Sequence, residues 1–156
     1  MRANFDQAFE IAIGLEGRPT NDLNDPGGYT IWGLSQRYNS EVNQNTTLEQ
    51  AKEIYLVKYW RPAGCDDAPF PMDIVLFDSQ VNPQNDPKLP GGGNREILNQ
   101  KPRNWQEYLL LRMVRYMRNS KDIYVKGHIF RCLKLFEQIR AEVQKREEEA
   151  LKKGGY

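Results

Sequence analysis

The chain has 156 residues, 22 of them basic and 21 acidic, with 39% hydrophobic residues. That length suits one domain, and the composition excludes disordered and fibrous classes. The near balance of charge excludes a strong overall field of the kind that draws proteins to nucleic acid or an anionic membrane surface.

Asn4 reads as an N-cap, and Phe5, Ala8, Phe9, Ala12 and Ile13 recur at helical spacing. Leu15 and Glu16 close this helix, and Gly17 with Pro19 stops it. Residues 18–28 are turn chemistry almost throughout. Tyr29 to Leu34 reads as a short extended piece, one arm of a small hairpin. Thr47 and Gln50 form a capping box for a helix carrying Leu48, Ala51, Ile54, Tyr55 and Tyr59, which ends near Trp60-Arg61-Pro62. The apolar run from Met72 to Val81 fits a buried helix better than a strand, because clean alternation is absent.

Residues 82–104 carry Pro83, Pro87, Pro90, three consecutive glycines and Pro102, and are expected to form a loop or hinge. The stretch Gly91-Gly92-Gly93-Asn94-Arg95 lacks the Gly-Lys-Ser/Thr of a phosphate loop and reads as a flexible linker. Trp105 to Met117 is apolar nearly all round, which predicts a buried central helix. Arg112, Arg115, Arg118 and Lys121 recur at three-residue spacing. They are read as a solvated face, with a cleft wall facing carboxylates or phosphates as the alternative. A last helix carries Ile129, Leu133, Phe136, Ile139 and Val143, followed by a solvated tail in which Glu148 with Lys152 and Glu149 with Lys153 are (i, i+4) pairs.

The sum is a mainly α protein with a small β-hairpin lobe after the first helix. It is expected to be a single domain over residues 1–156, with a flexible Gly/Pro-rich segment at about 83–104 and a helical half at about 105–150. No run approaches the ~20 apolar residues of a membrane span, and the first residues lack a signal-peptide pattern. A protein made in the cytoplasm is expected, without membrane insertion, reaching an outside substrate only after release or delivery. Cys65 and Cys132 have no CxxC partner, and His128 is the one histidine, so two free thiols and no metal are expected. The loop from Asn21 to Gly28 fails as a calcium loop, since Pro26 stands where a ligand is required and no Glu closes it.

Only residues 14–34 rise above this background. A carboxylate ends an apolar helix, and a polar, Gly/Pro-rich turn follows at once. Glycosidic cleavage needs a proton for the leaving oxygen and a carboxylate or water near the anomeric carbon. A helix end among apolar and aromatic groups can retain that proton near neutral pH. Glu16 has that setting, and the turn after it can bring Asp25 and Thr30 across a cleft. Taken singly these residues have ordinary readings: a solvated helix-end acid, turn aspartates at Asp22 and Asp25, a β-forming Thr30, and core aromatics at Tyr29 and Trp32.

Glu16, eight residues, Asp25, four residues and Thr30 resemble the Glu-Asp-Thr triad of phage-type lysozymes, in which the second gap is usually one residue longer. The closer resemblance is to the N-acetylmuramidases of glycoside hydrolase family 108. Their signature runs Glu-Gly-Gly-Tyr, Asn-Asp-Pro, Asp-x-Gly-Gly, Thr and Gly-Ile. Here it stands as Glu16-Gly17-Arg18-Pro19-Thr20-Asn21-Asp22, then Asn24-Asp25-Pro26-Gly27-Gly28-Tyr29-Thr30-Ile31-Trp32-Gly33-Leu34. Ile54-Tyr55, Tyr59-Trp60-Arg61-Pro62, Phe77-Asp78 and Val81-Asn82 resemble further segments of that family, with a weaker echo from Lys126-Gly127-His128 to Arg131. Arg18-Pro19 replaces the family's Gly-Tyr, His128 stands where a tryptophan is usual, and residues 83–104 lack the family's peptidoglycan-binding-like helical segment.

The resemblance implies a lysozyme-like endolysin that cleaves the β-1,4 bond between N-acetylmuramic acid and N-acetylglucosamine without a cofactor. Glu16 would be the general acid, and Asp25 with Thr30 would hold water or steady developing charge. Asp22, Tyr29, Trp32, Asn82 and His128 would contact the glycan strand. A monomer delivered by a holin, a virion or a secretion system fits this picture. A lytic transglycosylase using the same Glu is one alternative. A non-catalytic wall-binding or virion structural protein of the same fold is the other.

Overall fold

The computed structural model describes residues 4–16, 28–82, 92–119 and 121–154. These residues form six helices and a small antiparallel hairpin that follows the first helix. No helix among them is long and apolar enough to cross a membrane.

Helix α1 (Phe5–Glu16) buries Phe5, Ala8, Phe9 and Ala12, the face read from the sequence. The Asn4 side chain is drawn into tertiary contacts. Its amide donates to Asp73 Oδ2 at 2.7 Å, and its oxygen accepts from Arg146 Nη2 at 3.2 Å. Strands β1 (Thr30–Ile31) and β2 (Leu34–Ser35) pair Thr30 with Ser35 and Ile31 with Leu34. Trp32 and Gly33 connect them with φ of 54° and 74°, the two positive angles of a type I′ turn that matches strand twist. Glycine takes this conformation freely and tryptophan does not. Trp32 is held there from both sides: Tyr55 OH donates to its carbonyl at 2.9 Å, and its indole N–H donates to Thr46 O at 3.0 Å.

Helix α2 (Leu48–Tyr55) starts on the expected capping box, with Gln50 N–H bonded to Thr47 Oγ1 and Thr47 N–H to Gln50 Oε1. It widens into a π-helical segment, Leu56–Trp60, where Arg61 N–H reaches back five residues to Leu56 O. Tyr55 and Trp60 thereby both point inward, and with Phe5, Phe9 and Phe77 they form an edge-to-face aromatic cluster with centroids 5.4–5.9 Å apart. Helix α3 (Met72–Val81) is buried from Asp73 to Ser79. Its neighbours α1, the π segment, α4 and α5 surround it, which explains why its sequence shows no polar face.

Three expectations are corrected in the second half. Residues 92–99, read as part of a loop and flexible linker, form helix α4 (Gly92–Asn99). Its glycines occupy only the first turn, and the helix is held by burial of Ile97 and Asn94. Asn94 Nδ2 donates to Leu76 O at 3.2 Å, and Tyr108 OH donates to Asn94 Oδ1 at 2.8 Å. Helix α5 (Trp105–Asn119) is not buried all round: Leu110, Val114 and Met117 are 59%, 41% and 67% exposed. Arg112 and Arg115, read as a solvated face, are instead on the buried side, while Arg118 and Lys121 are exposed as expected. Helix α6 (Asp122–Gly154) runs unbroken through the residues read as a tail, roughly 50 Å at 1.5 Å per residue. It packs antiparallel-fashion back from α5 by Cys132, Leu135 and Ile139, and reaches α1 through Arg146 Nη2 on Gln7 Oε1 at 2.8 Å. Cys65 and Cys132 are both free and buried.

Candidate active site

Glu16 is the last residue of α1; its side chain, and Asp22 and Asp25 entirely, lie outside the described residues. The helix that carries Glu16 and the hairpin that carries Thr30 are keyed to the same aromatic side chain. Phe9 of α1 meets Tyr55 edge-on at 5.4 Å, and the Tyr55 hydroxyl holds the hairpin turn at Trp32 O. Thr30 is half-buried on β1, its Oγ1 3.5 Å from Gly28 O, which is long for a hydroxyl hydrogen bond.

An open cleft of about 360 Å³ lies between the hairpin and the end of α3, lined by Gly33, Ser35, Asn39, Tyr59, Val81 and Asn82 among others. That volume falls in the ~300–1,000 Å³ range of small-ligand sites. Asn39 anchors its floor: its amide donates to Ser35 O at 3.2 Å and to Tyr59 OH at 3.3 Å, and its oxygen accepts from Lys58 Nζ at 3.4 Å. Tyr29 lines a separate surface cleft of about 390 Å³ with Gln36 and residues 43–45. Trp32 packs against the core with its N–H committed to Thr46. His128 stacks on Tyr116 at 4.4 Å, and Tyr116 OH donates to Asn82 O at 3.2 Å. The structure therefore links Asn82 and His128 and puts Asn82 beside the hairpin, while Tyr29 opens elsewhere. Among the described residues no group of His, Cys, Asp and Glu side chains could hold a metal ion.

Residues 9–83 match the family model described as glycosyl hydrolase 108. The match covers just under half of the chain and supports a member of that family. A glycosyl hydrolase family segment over these residues supports a glycoside hydrolase. No curated protein and no solved structure matches it. The family match starts inside α1 and stops one residue after Asn82, so it holds Glu16, the hairpin and the α3 wall of the cleft and excludes α4, α5 and α6.

The excluded helices nevertheless reach the wall of the cleft through a buried charge network that sequence reasoning missed. Asp78 of α3 accepts from Arg112 Nη1 of α5 at 2.6 Å and from Arg131 Nη2 of α6 at 2.7 Å. Burial alone would raise the Asp78 pKa, but the two guanidiniums outweigh it and hold the carboxyl below its ordinary value of 3.8. Burial, with Arg112 and Arg131 close by, pushes His128 below its ordinary 6.5, so the ring stays neutral at pH 7. A second ion pair joins Arg115 to Glu96 of α4. The available signals were the three-residue spacing of the arginines and the Phe77-Asp78 pair; neither says which arginine meets the aspartate.

Proposed function

We propose that this glycoside hydrolase cleaves peptidoglycan, at the β-1,4 bond between N-acetylmuramic acid and N-acetylglucosamine, with Glu16 as the general acid. The observation that carries this reading is that Glu16 ends α1 inside the family-matched segment, on a helix packed through Phe9 and Tyr55 to the hairpin beside an open polar cleft. Glu16 protonates the glycosidic oxygen as the bond to the anomeric carbon breaks. Asp25 and Thr30, which follow it in the same motif, hold the water or steady the positive charge on the sugar ring. Asp22, Tyr29, Trp32, Asn82 and His128 are the proposed glycan contacts; the position of Asn82 on the cleft supports it most directly. The whole chain acts as one catalytic unit, a reading supported by the ties of α5 and α6 to Asp78 and of Arg146 to Asn4 and Gln7. Delivery to the wall by a holin, a virion or a secretion system is part of the same proposal.

The test is turbidity loss of purified peptidoglycan with wild type and Glu16→Gln, followed by mass spectrometry of the released fragments. Wild type is expected to release reducing muropeptides, and the variant to be slower by about 10²–10⁴-fold, the usual worth of a general acid. Anhydro ends would make the enzyme a lytic transglycosylase. Binding of wall material with no release by wild type would leave a non-catalytic binding protein.

A further inference from the structure

The last turn of α3 forms one wall of the cleft, and it is held from beneath by side chains beyond the family-matched residues. Asn82 closes that turn by donating its N–H to Asp78 O at 3.0 Å. Its own carbonyl leaves the helix at φ −117° and ψ 64° and accepts from Tyr116 OH at 3.2 Å. The same hydroxyl accepts from Arg112 Nε at 3.0 Å, and Arg112 is fixed in turn by Asp78. Carbonyls at a helix end lack intrahelical partners, so the direction in which the chain departs is open until something claims them. Here a buried phenol does. Its donor direction is settled, because Arg112 occupies the oxygen's acceptor side and burial, opposed by Arg112, raises the Tyr116 pKa and keeps the proton on.

We propose that Tyr116 is a positioning residue for glycan binding: by holding the Asn82 carbonyl it fixes Asn82 on the cleft wall opposite Gly33 and Ser35. The proposal rests on the peptidoglycan reading above. It makes α5 a determinant of substrate affinity although α5 lies outside the family-matched segment. The effect falls on binding rather than on the chemical step, since Asn82 is not one of the groups that carry protons or charge in the reaction.

Tyr116→Phe keeps the ring and its stack on His128 and removes only the hydroxyl. KM and kcat are measured on soluble glycan fragments, and the dissociation constant for the same fragments is measured by calorimetry on Glu16→Gln with and without Tyr116→Phe. KM and the dissociation constant are expected to rise about tenfold, the order of one lost hydrogen bond, with kcat within about twofold of wild type. Asn82→Ala, a half-buried helix-end substitution, keeps the backbone carbonyl that Tyr116 holds and is expected to raise KM by a similar factor. Tyr116→Phe added to it is expected to change KM less than about twofold, as groups acting through one contact do. An unchanged KM in either single variant, or multiplicative effects in the double variant, would overturn the proposal while leaving the peptidoglycan reading intact. A wild type that neither cleaves nor binds glycan would overturn both.

Discussion

Asp78 is 1% exposed and is bonded to Arg112, 3% exposed, and Arg131, 12% exposed, so its charge is compensated entirely inside the protein. Asp78→Asn keeps the shape and removes the charge, leaving the Arg112 guanidinium in a site too dry to solvate it. Breaking a buried pair from one side costs about 3–5 kcal/mol. At roughly 2–4 °C per kcal/mol for a chain of this size, the midpoint should fall by about 6–20 °C. Arg112→Met leaves Asp78 with Arg131 and should cost about 2–4 kcal/mol; Arg131→Met, at the wetter edge with Arg112 still in place, about 1–2 kcal/mol. Urea unfolding followed by far-ultraviolet circular dichroism at pH 7 reads all three. The order Asp78→Asn, Arg112→Met, Arg131→Met is the sharper test. A loss below about 1 kcal/mol for Asp78→Asn, or a larger loss for Arg131→Met, would refute the reasoning. The acid limb gives a second check. Because the folded pKa of Asp78 is depressed, its stabilisation is fully present above the unfolded value of about 3.9 and is lost as pH falls through the lower folded value. Wild type should lose stability below about pH 4, and Asp78→Asn should lose less of it there.

Two further outcomes bear on the corrected parts of the fold. Ile97→Ala in α4 should destabilise by about 2–5 kcal/mol, as cavity-forming substitutions do, measured by the same unfolding curves. A change within about 0.5 kcal/mol would restore the flexible-linker reading. Cys65 is pushed up to about 12 and Cys132 is also raised, in both cases first by burial. Neither thiol should react with a disulfide reagent at pH 8 until denaturant is added, when both should titrate. Prompt labelling of the native protein would show that these thiols are not buried.

What was legible in the sequence was local. The apolar spacing of α1, the Thr47–Gln50 capping box and the helix at Met72–Val81 each follow from residues within a turn or two of one another. The helix end at Glu16 belongs to the same class, and the family resemblance lay in the contiguous stretch that begins there; the turn residues read after it lie outside the described residues. Residues 92–99 were misread because three glycines and nearby prolines outweigh a short amphipathic run when no partner is visible; Leu76 and Tyr108 supply the partners that make it a helix. The arginines of α5 were misread for a deeper reason. A guanidinium is buried only where an opposite charge and acceptors meet it. For Arg112 that charge is 34 residues away, and for Arg115 it is 19. No periodicity within α5 carries that information. Local spacing told which side chains share a face, and only the assembly of α3, α5 and α6 around Asp78 decided which face turned inward.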